Sequence, residues 1–249
     1  MRYTTFSELC ESLNEATDLK VMIVHHAGGH HVGIRLTQHH FPISINEAEF
    51  NFIFNFIVDH KLTSGFELST GTGISAIAIG SALKENSGHL ITMDSYYEDL
   101  TGISSNIPVS TYSPEDIAEV KAKSDCYKFA SQTISYLELE ATVQIEVGWS
   151  PTDSVKFIEK RGTPLDVVFL DCPKDDSEFE RDLRSLIPHL NKEKFVIFVH
   201  DTHSYTQKSF DLVKELLGIE MVQIYEYFKD TQYYSKRYFP LAVITNIKE

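Results

Sequence analysis

An alternation of short apolar runs with helix-like segments occupies the chain from about residue 65 onwards, and it constrains the fold more than any other feature. A short apolar run between turn residues is typical of a buried strand, whereas apolar residues at helical spacing indicate a helix. Strands that are separated by helices form right-handed units with parallel strands. The predicted strands are residues 65–69, 89–94, 142–147, 165–171 and 195–200, and the predicted helices are residues 74–84, 114–137, 151–160, 175–190 and 205–217.

The chain closes on two predicted strands, residues 221–228 and 238–245, with only a polar, tyrosine-rich turn between them. Because no helix separates these strands, they must pair as an antiparallel hairpin. The sequence therefore predicts an α/β protein with a seven-stranded, doubly wound, mostly parallel sheet that ends in a C-terminal antiparallel β-hairpin. The aromatic residues of this hairpin could form the edge of a homodimer. They are Tyr225, Tyr227, Phe228, Tyr233, Tyr234, Tyr238 and Phe239.

Residues 1–42 are predicted to form an N-terminal extension of helix and loop, and residues 43–249 to form the main, Rossmann-like domain. A chain of 249 residues accommodates one large domain with such an extension. Within the extension we expect a helix over residues 6–17, a short strand over 20–24 and a glycine- and histidine-rich loop or irregular hairpin over 25–40.

The histidine-rich segment, residues 25–40, has three possible interpretations: a metal site, a loop over the active site and a solvated loop. Imidazole pairs suit zinc, copper or iron, but the spacing of these histidines matches no standard metal site. We expect instead a loop that folds over the mouth of the active site, with a polar, solvated loop as the alternative. Residues 96–113 are a second candidate lid, from which Tyr96, Tyr97 and Tyr112 could contact an aromatic or sugar substrate.

Two helix starts carry a local signal. Ser44 is predicted to cap a helix that runs to about residue 59, because Glu47 stands three residues after it as in a capping box. Ser113 is predicted to start another helix, since a proline follows it at the first helical position. A break of that second helix is expected near residue 124.

The net charge of −14 bears on the partners of the protein. A surface of this sign repels phosphate backbones and anionic lipid, so we expect a small-molecule acceptor and neither a nucleic-acid nor a membrane partner. The first twenty residues contain no basic segment followed by an apolar stretch, so we expect no signal peptide. Three distant cysteines, Cys10, Cys126 and Cys172, fit no disulfide framework, which favours a reduced, cytoplasmic location.

A glycine-rich turn follows the strand of residues 65–69. Gly71 and Gly73 let the backbone of this turn approach a ligand closely, as expected at the carboxyl end of a strand in an open α/β sheet. Asp94 ends the next strand, where its carboxylate can accept hydrogen bonds from two ribose hydroxyls. The pattern therefore predicts a cofactor that contains a nucleoside.

Two classes of cofactor fit this pattern. The spacing Gly71-x-Gly73-x-x-Ala76 satisfies the dinucleotide fingerprint, so a nicotinamide-dependent oxidoreductase is one hypothesis. Glu67 opposes it, because a carboxylate four residues before Gly71 could meet a cationic amino group but gains nothing from a pyrophosphate. The terminal hairpin is also unlike a typical dinucleotide-binding domain.

Residues 67–75, Glu-Leu-Ser-Thr-Gly-Thr-Gly-Ile-Ser, resemble the first motif of the class I (Rossmann-like) S-adenosylmethionine-dependent methyltransferases. The resemblance extends over about residues 43–203. Ser69 is a departure, because a glycine often stands at its place in that family. The resemblance implies a cofactor site for S-adenosylmethionine, and its expected residues are Glu67, Ser69, Gly71, Gly73, Asp94, Trp149, Ser150 and Asp171.

Individual roles follow from the same resemblance. Glu67 and the backbone of residues 71–73 would surround the methionine portion of the cofactor, and Asp94 would bind the ribose. Family members commonly contact the adenine just after the third strand, which corresponds to Trp149 and Ser150. Packing against other side chains is an equally good explanation of this tryptophan.

Two further apolar strands end in acids. Asp171 follows one strand and Asp201 follows the other, and parallel strands bring their carboxyl ends to one edge of a sheet. Carboxylates that converge with Thr202 or His203 would suit a hard divalent cation such as Mg²⁺. Alternatively, His203 takes the acceptor's proton directly as a general base. His200, by contrast, is predicted to be a core histidine that is hydrogen-bonded under the edge of the sheet.

These acids resemble two subsets of the same family. Small-molecule O-methyltransferases of the catechol type carry an Asp-Asn pair after the fifth strand, where this chain has Asp201-Thr202. A group linked to sugar and natural-product methylation often ends that strand in His-Asp-Thr, which residues 200–202 match. That group also carries a Gly-Asp-His run after the acid of the fourth strand, which residues 172–176 replace. The resemblance implies methyl transfer to a hydroxyl of a natural product, sugar or phenol, with a non-catalytic binding protein as an alternative.

Overall fold

A computed structural model describes residues 9, 11, 13–14, 21–26, 29–36, 39–96, 112–171, 175–202, 205–223 and 241–248, with the backbone alone for residues 21–44. Some predictions therefore concern residues outside these ranges. They are most of the helix over residues 6–17, Tyr97 and most of the second candidate lid, His203 and the aromatic residues of the C-terminal hairpin.

A three-stranded antiparallel sheet precedes the main domain, in the order β1-β2-β3. Its strands are β1 (Val21–His26), β2 (Gly29–Leu36) and β3 (His39–Asn46). Of the two structures expected for residues 25–40, the loop is wrong and the irregular hairpin agrees with the structure, because β1 and β2 pair antiparallel and the register of β2 with β3 shifts between His31 and Gly33. His25 lies opposite His30, and Leu36 lies opposite His39 in the ladder. Pairing with a neighbouring strand decides strand formation more than residue type does, so glycine and histidine content misleads here.

The main sheet has seven strands in the order β6-β5-β4-β7-β8-β10-β9. Strands β4 to β8 pair in parallel, and β10 runs antiparallel to both β8 and β9. The predictions of an α/β class and a mostly parallel sheet are confirmed. The strands are β4 (Ser64–Leu68), β5 (His89–Asp94), β6 (Val143–Val147), β7 (Val167–Leu170), β8 (Val196–Val199), β9 (Val222–Gln223) and β10 (Ala242–Thr245).

The order of strands reverses between β4 and β7. From β4 the chain builds outward through β5 to β6, and it then returns to the other side of β4 with β7. In open α/β sheets, ligands bind outside the carboxyl ends of the strands at such a reversal. This topology therefore places the functional edge at the ends of β4, β5, β7 and β8.

Helices cover both faces of the main sheet. Along β7, Val167 and Phe169 belong to one buried cluster, whereas Val168 and Leu170 belong to the other. The first cluster includes residues of α1 (Glu47–Asp59), α2 (Ile74–Glu85) and α4 (Asp125–Tyr136), which follows α3 (Pro114–Lys123). The second includes residues of α5 (Thr152–Arg161), α6 (Asp176–Leu186) and α7 (Gln207–Leu217). Among the described residues, no helix has the length and apolar character needed to cross a membrane.

The helix starts agree with the sequence at one site and differ at another. Ser113 caps α3 through a capping box with Asp116, and Ser124 separates α3 from α4, as predicted. The predicted cap at Ser44 is wrong. Asn46 caps α1, because its side chain accepts a hydrogen bond from the backbone N–H of Glu49, whose carboxylate accepts one in return.

Asp166 ties several strands together at the amino edge of the sheet, opposite the functional edge. It is buried, and its carboxylate accepts hydrogen bonds from the backbone N–H of Thr63 at 2.8 Å and from the hydroxyl of Thr63 at 3.1 Å. Its other oxygen accepts from the side-chain amide of Asn191 at 2.8 Å. The segments that lead into β4, β7 and β8 are thus joined at one carboxylate.

Candidate active site

The turn between β4 and α2 has an unusual backbone. Ser69, Gly71 and Gly73 all have left-handed φ values, of 80°, 50° and 83°. A Cβ atom on Gly73 would lie 3.1 Å from the Cβ atom of Ala130, so this glycine lets the turn approach α4 closely. Ser69 adopts a conformation that favours glycine, and its N–H donates to the carbonyl of Met93 at 2.8 Å.

Glu67 lies immediately below this turn and is fully buried. Among the described residues, neither oxygen of its carboxylate has a hydrogen-bond partner. Burial raises the pKa of Glu67 to about 8, and the nearby hydroxyls of Ser75 and Thr92 lower it only in part. A buried carboxylate without a partner is costly, because desolvation disfavours its charge. The site is therefore electrostatically incomplete, and a cation would complete it.

Asp94, at the end of β5, braces the same turn. One carboxylate oxygen accepts a hydrogen bond from the N–H of Gly71 and the other from the N–H of Tyr96, each at 2.8 Å. Burial raises the pKa of Asp94, and these N–H groups lower it only in part. Each oxygen of a carboxylate can accept more than one hydrogen bond, so Asp94 retains capacity for the hydroxyls of a ligand.

Tyr96 is the first residue of the second candidate lid, and it is buried. Only 3% of its surface is exposed, and it packs with Val120 and Val147. Its ring meets the ring of Tyr127 edge-on at 5.6 Å. Burial, and then the charge of Asp94, raise the pKa of its phenol well above the usual value. The structure thus buries Tyr96 beside Asp94, where it packs under the turn of residues 69–73.

The segment after β6 holds the residues expected beside the adenine. The ring centroids of Trp149 and Tyr112 lie 5.7 Å apart, and the phenol of Tyr112 donates to the carbonyl of Ser95 at 2.9 Å. The hydroxyl of Ser150 donates to the buried carboxylate of Asp182 in α6 at 2.7 Å. Trp149 therefore lies beside the end of β5, whereas the Ser150 side chain is hydrogen-bonded to Asp182.

Asp171, His200 and Asp201 form a cluster at the ends of β7 and β8. One potential ligand atom from each residue lies within 4.8 Å of the others. Nδ1 of His200 is 2.8 Å from the Asp171 carboxylate and 3.6 Å from the Asp201 carboxylate. His200 is 7% exposed, whereas the side chain of Asp201 is 51% exposed. The predicted burial and hydrogen bonding of His200 are confirmed, and the same residue lies within the acidic cluster.

A fourth member of this cluster escapes sequence analysis. Glu49 of α1 is fully buried, and its carboxylate lies 3.6 Å from Nε2 of His200. Burial lowers the pKa of His200, but the charge and hydrogen bond of Asp171, together with the charge of Glu49, outweigh it and hold that pKa well above its usual value. The capping-box pattern was the only sequence signal for Glu49, and it indicates a purely local role.

Thr202 lies beside this cluster in sequence and is 1% exposed. His203, the candidate base, is outside the described residues. The structure therefore brings together Asp171 and Asp201 of the predicted site, adds His200 and Glu49, and also couples the cluster to the cofactor turn. That coupling is visible in Glu67, whose pKa the charges of Asp171 and Asp94 also raise.

Comparison with protein families matches residues 66–202 to a family described as a methyltransferase domain. This match spans more than half of the chain, and it includes the turn after β4 and the acids that end β5, β7 and β8. The chain belongs to this methyltransferase domain family. Membership makes methyl transfer the activity of the chain, and it decides against the hypothesis of a nicotinamide-dependent oxidoreductase.

Solved structures share the fold of this methyltransferase. An O-methyltransferase from Bacillus cereus in complex with SAH aligns with a TM-score of 0.55 and 13% identity, over 82% of this chain and 83% of that one. The O-methyltransferase TomG from Streptomyces achromogenes, involved in tomaymycin synthesis and in complex with SAM, aligns with a TM-score of 0.56 and 12% identity. That alignment covers 84% of this chain and 83% of TomG. No curated protein sequence matches the chain.

Proposed function

We propose that this methyltransferase transfers the methyl group of S-adenosylmethionine to a hydroxyl oxygen of a small molecule. The observation that carries the proposal is the carboxylate of Glu67, which is fully buried and has no hydrogen-bond partner among the described residues. S-adenosylmethionine has a cationic amino group at its methionine end. An ammonium beside Glu67 would stabilise the ionised form of this carboxylate, whose pKa burial raises to about 8.

The other cofactor residues fit the same orientation. The backbone of Gly71 and Gly73, next to the left-handed Ser69, would line the methionine portion. Asp94, which still has lone pairs to offer, would accept the two ribose hydroxyls. Trp149 would lie against the adenine, with Ser150 holding the following segment through Asp182 rather than through its own contact with the cofactor.

The acidic cluster would serve the acceptor. In the reaction an oxygen–carbon bond forms, the sulfur–carbon bond breaks and the hydroxyl proton passes to a base of the protein. Asp201, whose side chain is half exposed, and His203 are our candidates for that base, and Asp171 would orient the acceptor beside the methyl group. Holding both reactants in line supplies most of the rate gain expected of such an enzyme.

A divalent cation such as Mg²⁺ is a second proposal for the same cluster. Asp171, His200 and Asp201 offer three potential ligand atoms within 4.8 Å of one another, and Thr202 follows directly. A cation there would lower the pKa of the acceptor hydroxyl. It would have to displace the proton that His200 shares with Asp171, because a protonated imidazole cannot bind a metal. Turnover that survives chelation, at a rate that added Mg²⁺ does not change, would exclude this version.

The remaining expectations stay proposals. We propose that residues 1–42 form an extension whose histidine-rich strands help to close the mouth of the site, and that residues 43–249 form the catalytic domain. The net charge of −14 supports a small-molecule acceptor over nucleic acid. Cysteine spacing supports a cytoplasmic location. The aromatic C-terminal hairpin supports a homodimer.

Calorimetric titration tests the cofactor assignment. We expect S-adenosylhomocysteine, which keeps the amino group, to bind the wild-type protein and NADH not to bind. Glu67→Gln should weaken S-adenosylhomocysteine by at least about tenfold, since a charged hydrogen bond contributes about 1.5–3 kcal/mol. Glu159→Gln, at an exposed carboxylate of α5, is the matched control and should bind as the wild type does. Equal affinity of the Glu67 variant and the wild type would remove the main support for the proposal.

A further inference from the structure

Glu49 has two interactions that point to different parts of the molecule. Its carboxylate accepts a hydrogen bond from the backbone N–H of Asn46 at 2.7 Å, which completes the cap of α1. The same oxygen lies 3.6 Å from Nε2 of His200, within the range of an ion pair but beyond a normal hydrogen bond. The other oxygen has no hydrogen-bond partner among the described residues.

Capping alone does not explain a carboxylate at this position. Glutamine completes a capping box as well as glutamate does, and it avoids the cost of a fully buried charge. Buried charges are retained in proteins where a charge of opposite sign faces them. Here the group that faces Glu49 is the imidazole of His200, which lies between the carboxylates of Glu49 and Asp171. The negative charge of Glu49 therefore has a function at His200.

His200 connects Glu49 to the reaction centre. Its ring lies between two carboxylates, with Nδ1 at 2.8 Å from Asp171 and Nε2 at 3.6 Å from Glu49. The hydrogen bond at Nδ1 and the ion-pair contact at Nε2 favour the same orientation of the imidazole, in which the ring holds the carboxylate of Asp171. Asp171 is the partly exposed member of the three, whereas Glu49 and His200 are buried and lie behind it.

We propose that Glu49 is a positioning residue, which holds His200 and through it orients the carboxylate of Asp171 toward the acceptor. This role couples the start of α1, at its junction with the N-terminal sheet, to the reaction centre. The proposal rests on the proposed function, because it assigns a role within the same site. Glu49 itself touches neither the acceptor nor the cofactor in this scheme.

Two variants separate this role from capping. Glu49→Gln keeps an oxygen for the N–H of Asn46 and removes the charge that faces His200. Asn46→Ala is the matched control, because it removes the other hydrogen bond of the capping box and leaves the Glu49 carboxylate in place. Loss of a cap of this kind lowers stability, so this control reports what a purely structural effect looks like.

The first measurement needs no acceptor. In side-chain ¹H–¹⁵N NMR spectra, we expect a slowly exchanging Nδ1–H proton of His200 in the wild-type protein and in Asn46→Ala, and its absence in His200→Asn assigns the signal. In Glu49→Gln, exchange with solvent should be about tenfold faster, the lower end of the effect of removing an outer partner from a site residue. Equal exchange in the wild type and Glu49→Gln would overturn the proposal.

The second measurement is turnover with S-adenosylmethionine and the best hydroxyl acceptor from a panel of catechols and sugars. We expect kcat of Glu49→Gln to fall about tenfold or more with KM for S-adenosylmethionine within about twofold, while Asn46→Ala keeps its kcat. If kcat falls equally in both variants, Glu49 acts only as part of the helix cap. If S-adenosylhomocysteine does not bind the wild type, the proposed function fails, and the exchange measurement still decides whether Glu49 orders His200.

Discussion

Two acids on neighbouring strands of the same sheet edge, the buried Glu67 and the partly exposed Asp171, have opposite electrostatic surroundings. Glu67 on β4 is fully buried and has no hydrogen-bond partner among the described residues. Asp171, after β7, lies 2.8 Å from His200. His200 therefore faces Asp171 on what we propose to be the acceptor side, whereas no cation among the described residues faces Glu67 on the proposed cofactor side. A buried carboxylate with no cation beside it among the described residues is the place where our proposal has the ligand supply one.

This difference also separates two kinds of functional residue. In our proposals Glu67 is a binding residue because its surroundings are unsatisfied, whereas Asp171 acts on the acceptor from an orientation that His200 and Glu49 maintain. A substitution at Glu67 should thus change the affinity for the cofactor. Loss of His200 or Glu49 should instead change turnover or the free energy of unfolding. Four predictions test this comparison.

The largest effect should come from the exposed carboxylate of the acceptor side. Asp201→Asn keeps a residue that tolerates the left-handed φ of 54° and removes the charge. We expect turnover to fall by about 10²–10⁴, the usual contribution of a general base, with affinity for S-adenosylhomocysteine within about threefold. Initial rates and calorimetry measure the two quantities. Asp211→Asn, at an exposed acid of α7, is the control, and an equal rate in both variants would deny Asp201 a role in the reaction.

The next largest effect should come from the removal of His200, and it should lower stability rather than turnover. His200→Ala leaves the buried carboxylate of Glu49 and the partly exposed carboxylate of Asp171 without their partner, so we expect the free energy of unfolding to drop by about 3–5 kcal/mol. Urea denaturation measures this loss. His89→Ala, at an exposed histidine, should stay within about 0.5 kcal/mol of the wild type. A loss at His200 no larger than this would mean that the acceptor side is not held together by charge.

Neutralising Glu67 should raise the free energy of unfolding, whereas removal of His200 lowers it. Its pKa is about 8 in the folded protein against 4.5 ordinarily, so the folded state holds the proton more tightly and stability is lost as the pH rises from 4.5 to 8. One pKa unit corresponds to about 1.4 kcal/mol, so Glu67→Gln should be more stable than the wild type by about 3 kcal/mol at pH 7 and by under about 1 kcal/mol at pH 5.

Urea denaturation of cofactor-free protein at both pH values measures this difference between the Glu67 variant and the wild type. Glu159→Gln again provides an exposed control that should show no such dependence on pH. If Glu67→Gln is destabilised at pH 7, the carboxylate has a partner in the folded protein, and the contrast with Asp171 disappears.

The smallest effect concerns the backbone of the cofactor turn. A left-handed serine is strained by its Cβ atom, so Ser69→Gly should stabilise the protein by about 1 kcal/mol. Ser87→Gly, at an exposed left-handed serine after α2, should give a similar gain. Thermal unfolding compares the two variants. We expect Ser69→Gly to keep its affinity for S-adenosylhomocysteine within about twofold, because the turn would contact the ligand through its backbone.

The cofactor side could be predicted from the sequence because its signals are local. An apolar strand, two glycines and a helix follow one another directly at residues 65–84, and Asp94 ends the next apolar run. The sequence marks Ser69 only as a departure from a common glycine, and the structure adds that this serine has a left-handed φ of 80°. The histidine-rich strands were not predictable in the same way, because they exist through pairing with one another rather than through a strong preference of their residues.

The acceptor side was only half predictable, for a physical reason. Strand ends locate Asp171 and Asp201, but the partner of His200 comes from α1, far away in the sequence. Glu49 satisfies a local capping rule, so its sequence position carries no sign of a second, distant contact. Side-chain contacts between remote segments are set by tertiary packing, and single-sequence patterns do not record them.

Asp166 has a consequence for the geometry of the site. It joins the segments that lead into β4, β7 and β8 at the amino edge of the sheet, and these three strands end next to Glu67, Asp171 and His200. The hydrogen bonds of Asp166 therefore fix where these three strands begin relative to one another. A slip of one residue moves a strand end by about 3.3 Å, which is more than the length of the bond between Asp171 and His200. Contacts at the amino edge of the sheet, where we expect no ligand, thus help to set the distances between Glu67, Asp171 and His200 at the opposite edge.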